Sequence, residues 1–293
     1  MFSTAIREKL VQRLRTPLRE QRFRQVAEDI LPMTRYRSTI PFIHALLAEG
    51  VVRKQILKAR NGKTISLYSS HPLEEFGPYE LAWAMFPSGY FCNLTAIFHH
   101  GLTDQVPNSV YVCHETLQVQ HANPAGTPSE SMVRSAFIQP HRHTNHVFDF
   151  RGPELVVLSR ALNSDHGVVA TRNQSPCPVG SRVAGLERAL IDSVVAPQYN
   201  GGITSLPAYF TAARDKLQID KLLEIYRKLK FVYPYAQSIG FLLELSGMSE
   251  QADRIRKVYP PRQRFFLDHN AKSSWIYNER WMIYSPKEFV DER

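Results

Sequence analysis

Asn61-Gly62 lies between two short runs of alternating apolar and polar residues, "VRKQILKAR" and "KTISLY". That arrangement is a strong local signal for a β-hairpin, because a type I′ turn needs positive φ at both central residues and Asn-Gly supplies it most readily. A two-residue turn there places Arg60 directly opposite Lys63, with Lys58 two residues back and Lys54 further along the same strand. Like charges facing each other across a ladder destabilise it. A hairpin loaded in this way needs a reason that lies outside the hairpin.

The sequence before it reads as helices. In "TAIREKLVQRLR", Ile6, Leu10, Val11 and Leu14 recur at spacings of three and four, and in "EQRFRQVAEDILP" Phe23, Val26, Ala27 and Ile30 do the same before Pro32. A third helix is predicted over "STIPFIHALLAEG". Ser38 or Thr39 starts it, Ile40, Ile43, Leu46 and Leu47 form its buried stripe, and Gly50 ends it. Three helices followed by a hairpin is the order of a winged helix-turn-helix. In that architecture the third helix enters the major groove of DNA and the hairpin lies along the backbone.

The charge distribution agrees with that order. Residues 1–70 hold 14 of the 36 Lys and Arg but only 5 of the 27 Asp and Glu, so the other 223 positions carry 22 of each and no net charge. A basic segment beside a neutral remainder is the footprint of a polyanion-binding unit joined to something else. The expected DNA contacts are Arg35, Tyr36, Arg37 and Thr39 at the start of the third helix, His44 one turn in on the face away from Ile43 and Leu47, and Lys54, Lys58, Arg60, Asn61 and Lys63 on the hairpin. Phosphates would then supply the counter-charge that the hairpin lacks.

Past residue 72 the composition shifts. "SSHPLEEFGPYELA" reads as a junction, and the chain beyond it alternates predicted helices and strands: a helix capped at Asn93 and stopped by Gly101, a turn at Pro107-Asn108, a strand over Val110 to Cys113, strands "ELVVLS" and "GVVAT", helices "GLERALIDSVV", "IDKLLEIYRKLK" and "YAQSIGFLLELSG", then aromatic strand candidates "RFFLD" and "WIYNERWMIYS". The expected fold is α+β: a winged helix over 1–72 and a mixed α/β domain over 73–293. Cys92, Cys113 and Cys177 are odd in number and widely spaced, which argues against a disulfide framework or zinc ribbon and for a reducing compartment. No apolar run approaches the eighteen or so residues a membrane span needs, so the chain is expected to be cytoplasmic.

"GYFCNLTAIFHHGLTDQVPNSVYV" and, some way on, "LERALIDSVVAPQYNGGI" resemble the core of the AbiEi antitoxins, the transcription-regulator half of type IV toxin-antitoxin systems used in phage defence. The likeness extends over most of the chain. It implies a repressor whose N-terminal domain binds inverted repeats in double-stranded DNA at its own promoter. It also implies a C-terminal domain that counteracts a nucleotidyltransferase-like AbiEii toxin, direct contact with the toxin not being general in the family. The third helix here has Pro41 near its start and "TRYR" before it, so the family's DNA contacts do not transfer one for one.

Other candidate chemistry is weaker. "HRHTNH" groups His141, His143 and His146 without an evident carboxylate, so the expectation is solvated loop histidines and no metal site; a metal-dependent enzyme carrying a nucleic-acid-binding arm is the alternative. His99 and His100 at a helix end suit the negative end of its dipole when protonated. Arg188 and Asp192 have the i, i+4 spacing of a structural ion pair, and neither a Gly-x-x-x-x-Gly-Lys loop nor a Gly-x-Ser-x-Gly elbow occurs. No enzyme and no cofactor are expected.

Overall fold

The first seventy residues bring three helices and a small sheet together before the chain enters a larger α+β body. In the computed structural model the described residues are 2–116, 128–150, 152–161, 165–172, 176–269, 271–272 and 274–289. Helix α1 (Thr4–Arg13) leads into a two-residue strand β1 (Leu18–Arg19), then α2 (Glu20–Ile30), a short 3-10 turn carrying Pro32, α3 (Thr39–Ala48), and the hairpin strands β2 (Arg53–Lys58) and β3 (Thr64–Ser69). Sequence reasoning missed β1, which is too short for any periodicity. It pairs antiparallel with β3, so the sheet order is β1-β3-β2. The core between helices and sheet is aromatic: Phe23 stacks on Tyr68 at 4.4 Å, and Phe42 meets Phe2 edge-on at 5.6 Å.

Two expectations fail here, both by a phase. The ladder pairs Lys58 with Thr64, and the Ala59 N–H donates to the Lys63 carbonyl, so Arg60 does not face Lys63. Arg60, Asn61 and Gly62 form a three-residue loop in which the Gly62 N–H donates to the Ala59 carbonyl at 2.9 Å and Gly62 takes φ +85°. This is a turn closed by a left-handed glycine, a use of Asn-Gly as natural to the dipeptide as the two-residue turn. In α3 the buried residues are Phe42 and Leu46, whereas Ile40 is 62% exposed and Ile43 and Leu47 are only partly covered. The larger Phe42 ring takes the core and rotates the expected stripe outward.

The hairpin belongs to two cores. Residues directly opposite in a ladder share a face, so Tyr68 and Lys54 lie on the helix side, while Ile65, Leu67 and Ala59 lie on the other. Tyr68 joins the core of the first unit, and Ile65, Leu67 and Ala59 join the core of the second. That second core begins with α4 (Pro78–Met85), which packs on β1 and β3.

After α4 come β4 (Tyr90–Phe91), α5 (Asn93–His99), β5 (Ser109–Thr116), α6 (Glu130–Ile138), β6 (Val147–Phe148), β7 (Glu154–Ala161), β8 (Val168–Ala170), β9 (Arg182–Ala184) and α7 (Leu186–Val195). The strands form a mixed sheet in the order β6-β7-β5-β4-β9-β8, with β5 and β7 parallel and Val112 in register with Val157. Their near-continuous apolar runs suit strands covered on both faces. Helices α8 (Leu206–Ala213), α9 (Ile219–Leu229), α10 (Tyr235–Leu245) and α11 (Ser249–Val258) follow, and α7 packs against α5, α8, α9 and α10. A last sheet of β10 (Phe265–Phe266), β11 (Ile276–Asn278) and β12 (Ile283–Ser285) is anchored by the buried Trp281, whose Nε1 donates to Glu244 at 2.7 Å. Among the described residues no helix is long and apolar enough to cross a membrane.

Candidate nucleic-acid interface

The one-residue shift in hairpin register sorts its cations. Lys54, Ile56 and Lys58 fall on the face shared with Tyr68, the face toward α3, and Lys63 falls on the face toward the second unit. Lys54 lies over the Tyr68 ring, its Nζ 5.7 Å from the centroid, and Lys58 is exposed. Arg60 at the tip is engaged elsewhere. Its guanidinium pairs with Asp149, with Nε at 3.2 Å from Oδ2, and with Glu154, and its N–H donates to the Val147 carbonyl at 2.9 Å. The reason for a basic tip, at least at Arg60, is inside the molecule. Exposed ion pairs of this kind contribute little stability, but they fix where the hairpin points.

The other expected contacts divide similarly. Arg35 and Arg37 are exposed on the segment before α3. Tyr36 packs with Phe42 at 5.7 Å and with Phe2 at 6.1 Å, so its ring is part of the core. Asn61 is occupied in the turn, its Oδ1 accepting the Lys63 N–H at 3.2 Å. Thr39 is half-buried at the start of α3, and His44 is exposed. His44 does not turn away from Ile43 and Leu47 as expected. All three line one open groove with Ile40, Lys54, Arg24 and Tyr68, of about 200 Å³.

Not every cation of the first unit is free to meet a polyanion. Arg7 pairs with Glu49 at 3.3 Å, Arg13 with Asp29 at 3.1 Å and Arg24 with Glu20 at 2.7 Å. Among the described residues no ion pair engages Arg15, Arg19, Arg22, Arg35, Arg37, Arg53, Lys54, Lys58 or Lys63. Arg19 and Arg22 also line a polar cleft of about 660 Å³ with Gln21, Gln25, Thr64 and Ser88. In sequence these two arginines read as solvated helix surface, and nothing in their spacing marks them.

The histidines of "HRHTNH" do not converge. His141 pairs with Asp268 and lies 4.5 Å from the His269 ring, His143 sits edge-on to Tyr199, and His146 contacts Phe86 and Phe148. The expectation that His141 lacks a carboxylate is therefore wrong, because its partner lies far along the chain. Among the described residues no group of three or more His, Cys, Asp or Glu could hold a metal ion. His100 also departs from the dipole reading: it meets the Ala184 carbonyl at 2.7 Å, and burial pushes its pKa down, favouring the neutral ring. Asn93 does not cap its helix by side chain. It takes φ +49° and its Oδ1 accepts from Asn200 Nδ2 at 3.1 Å.

Inside the second unit, Arg188 and Asp192 form the expected pair at 3.0 Å, both fully buried, and Arg160 adds a second contact to the same carboxylate at 3.1 Å. Arg188 also donates to the His166 carbonyl at 2.7 Å and to the Tyr90 hydroxyl at 3.2 Å. Burial works against the Arg160 charge, but Asp192 outweighs it and holds the pKa above the ordinary arginine value. Both guanidinium groups meet Oδ1, and Asp192 Oδ2 is buried without a hydrogen-bond partner; the closed geometry is that of a structural pair. The three cysteines are free, buried thiols, and burial pushes Cys177 up to about 12, leaving it little thiolate at neutral pH.

No family model and no curated protein matches the chain. Among solved structures it is similar to the RV2827C protein from Mycobacterium tuberculosis, with a TM-score of 0.50 and 13% identity over 97% of this chain and 92% of that one. A likeness at that identity concerns the fold, and it runs through both units.

Proposed function

We propose that residues 2–69 are a winged helix-turn-helix that binds double-stranded DNA, and that the chain is a transcriptional repressor and antitoxin of an AbiE-like type IV toxin-antitoxin system. One observation carries the DNA-binding part. Exposed cations without ion pairs among the described residues lie on the segment that enters α3, Arg35 and Arg37, and on one face of the hairpin, Lys54 and Lys58, and Lys54 lines a groove with Ile40, Ile43 and His44 of α3, where a duplex would meet it. Cations placed so neutralise phosphates and position a protein on DNA, while contacts in the groove specify sequence. The antitoxin part rests on the resemblance of "HHGLTDQVP" and "ERALID" to the AbiEi core.

Binding of the full-length protein to the duplex upstream of its own reading frame, followed by fluorescence anisotropy from 50 to 300 mM salt, tests the first part. The expected result is an affinity that falls linearly on a log-log plot. No binding at the lowest salt would overturn it. Co-expression with a neighbouring nucleotidyltransferase-like gene tests the second: growth arrest relieved by this chain supports the antitoxin reading, and arrest that it leaves unchanged refutes it.

A further inference from the structure

The outward face of α3 is the least expected surface of the first unit. Its sequence, "TIPFIHALLA", contains no Arg, Lys, Asn or Gln. Those are the side chains that recognise guanine and adenine through paired hydrogen bonds in the major groove. What the helix presents instead is Ile40, 62% exposed, with Ile43 and Leu47 partly open and His44 between them. Ile56 on β2, 63% exposed, lies on the same ladder face as Lys54 and Lys58 but lines a separate groove with Leu73, Phe76 and Phe150.

The base edges of the major groove offer one apolar group, the C5-methyl of thymine. Resting on the DNA-binding reading, we propose that α3 recognises thymine methyl groups through Ile40 and Ile43, so that the DNA this protein selects is defined by T·A pairs at the centre of each contact. Sequence preference comes from methyl burial on α3, and affinity comes from the surrounding Arg35, Arg37, Lys54 and Lys58. An apolar patch could equally bury itself against a second copy of the chain, but those same cations would then face their counterparts across the seam. The charge favours a polyanion.

The test uses the full-length protein and a randomised duplex library of 26 base pairs. Enriched sequences should share T·A positions, and resynthesis of one enriched duplex with uracil for thymine should weaken binding about fourfold per contacted methyl, the value of one buried methylene-sized group. The slope of log affinity against log salt should not change, because no phosphate contact is lost. Ile40→Ala should bind thymine and uracil duplexes almost alike while keeping its circular dichroism spectrum, Ile40 being exposed. Equal affinity of the wild type for both duplexes would overturn the inference and leave DNA binding standing. So would enriched sequences defined by guanines whose selection is lost in Arg35→Ala or Arg37→Ala. If no duplex binds even at low salt, and Ile40→Asp instead abolishes self-association, the inference and the DNA-binding reading fail together.

Discussion

Helices α3 and α7 are both ten residues long, and they meet opposite fates. Helix α7 carries Glu187, Arg188 and Asp192, yet every residue from Glu187 to Val194 is buried. Helix α3 is far more apolar and fully buries only Phe42 and Leu46. Hydrophobicity does not decide which helix is enclosed; the number of neighbours does. Helix α7 lies among four other helices, so its charges must find partners, and they do in Arg160, Tyr90 and Lys221. Helix α3 packs one side on α2 and on Phe2 and Tyr36 and leaves the other open, so its surplus apolar residues stay in solvent. A buried charge is here a matter of stability; an exposed isoleucine contributes little to it.

That contrast breaks most sharply at Asp192. Its carboxylate holds the buried Arg188 guanidinium and the partly exposed one of Arg160, so Asp192→Asn should cost about 3–5 kcal/mol in chemical denaturation, the usual penalty for stranding a buried charge. A loss below about 1 kcal/mol, the size of an exposed pair, would show that α7 is not enclosed as described.

Charges at the rim should behave differently. Lys54→Ala with Lys58→Ala should leave stability nearly unchanged and flatten the log-log salt dependence of DNA binding by about 1.8, at roughly 0.9 for each phosphate contact. Arg60→Ala and Lys63→Ala, on the tip and on the opposite face, should change it less. An effect at Lys63 equal to that at Lys58 would mean the hairpin is approached from the other side.

Protonation sharpens the comparison further. Burial lowers the pKa of His100, and also of His146 and His269, below the ordinary histidine value of 6.5. The unfolded chain therefore takes up protons that the folded one refuses as pH falls below about 6.5, and stability should decline there until the lowered values are reached. The melting temperature should be lower at pH 5.5 than at 7.5, and His100→Gln should reduce the difference. A melting temperature that rises on acidification would contradict the buried placement of these rings.

The smallest effect belongs to α3. Ile40→Ser should alter stability by no more than about 0.5 kcal/mol, as surface substitutions do. A loss of 2 kcal/mol would place Ile40 in a core and remove the basis for methyl recognition.

How far the sequence revealed these features depends on range. The three N-terminal helices and the hairpin were legible because each rests on local spacing, and the Arg188–Asp192 pair because it spans one helical turn. The phase of α3 was not, since a helix with so many apolar residues fits several rotations and only the space for Phe42 selects one. The hairpin register escaped for a similar reason, because Asn-Gly serves two turn geometries. Arg160, Asp149, Glu154 and Asp268 complete clusters whose other members lie far along the chain, and no spacing rule reaches that distance.

The sharing of the hairpin between two cores bears on how the protein is made. Arg60 emerges from the ribosome 89 residues before Asp149 and 94 before Glu154. At roughly 5–20 residues per second, the tip waits about 5–20 s for those partners. During that interval Ile65 and Leu67 depend on α4 for cover, and the nascent hairpin carries its full positive charge beside the ribosomal RNA. Synonymous codons that slow translation between residues 70 and 150 would lengthen that exposure, making the yield of folded protein sensitive to elongation rate in this stretch above others.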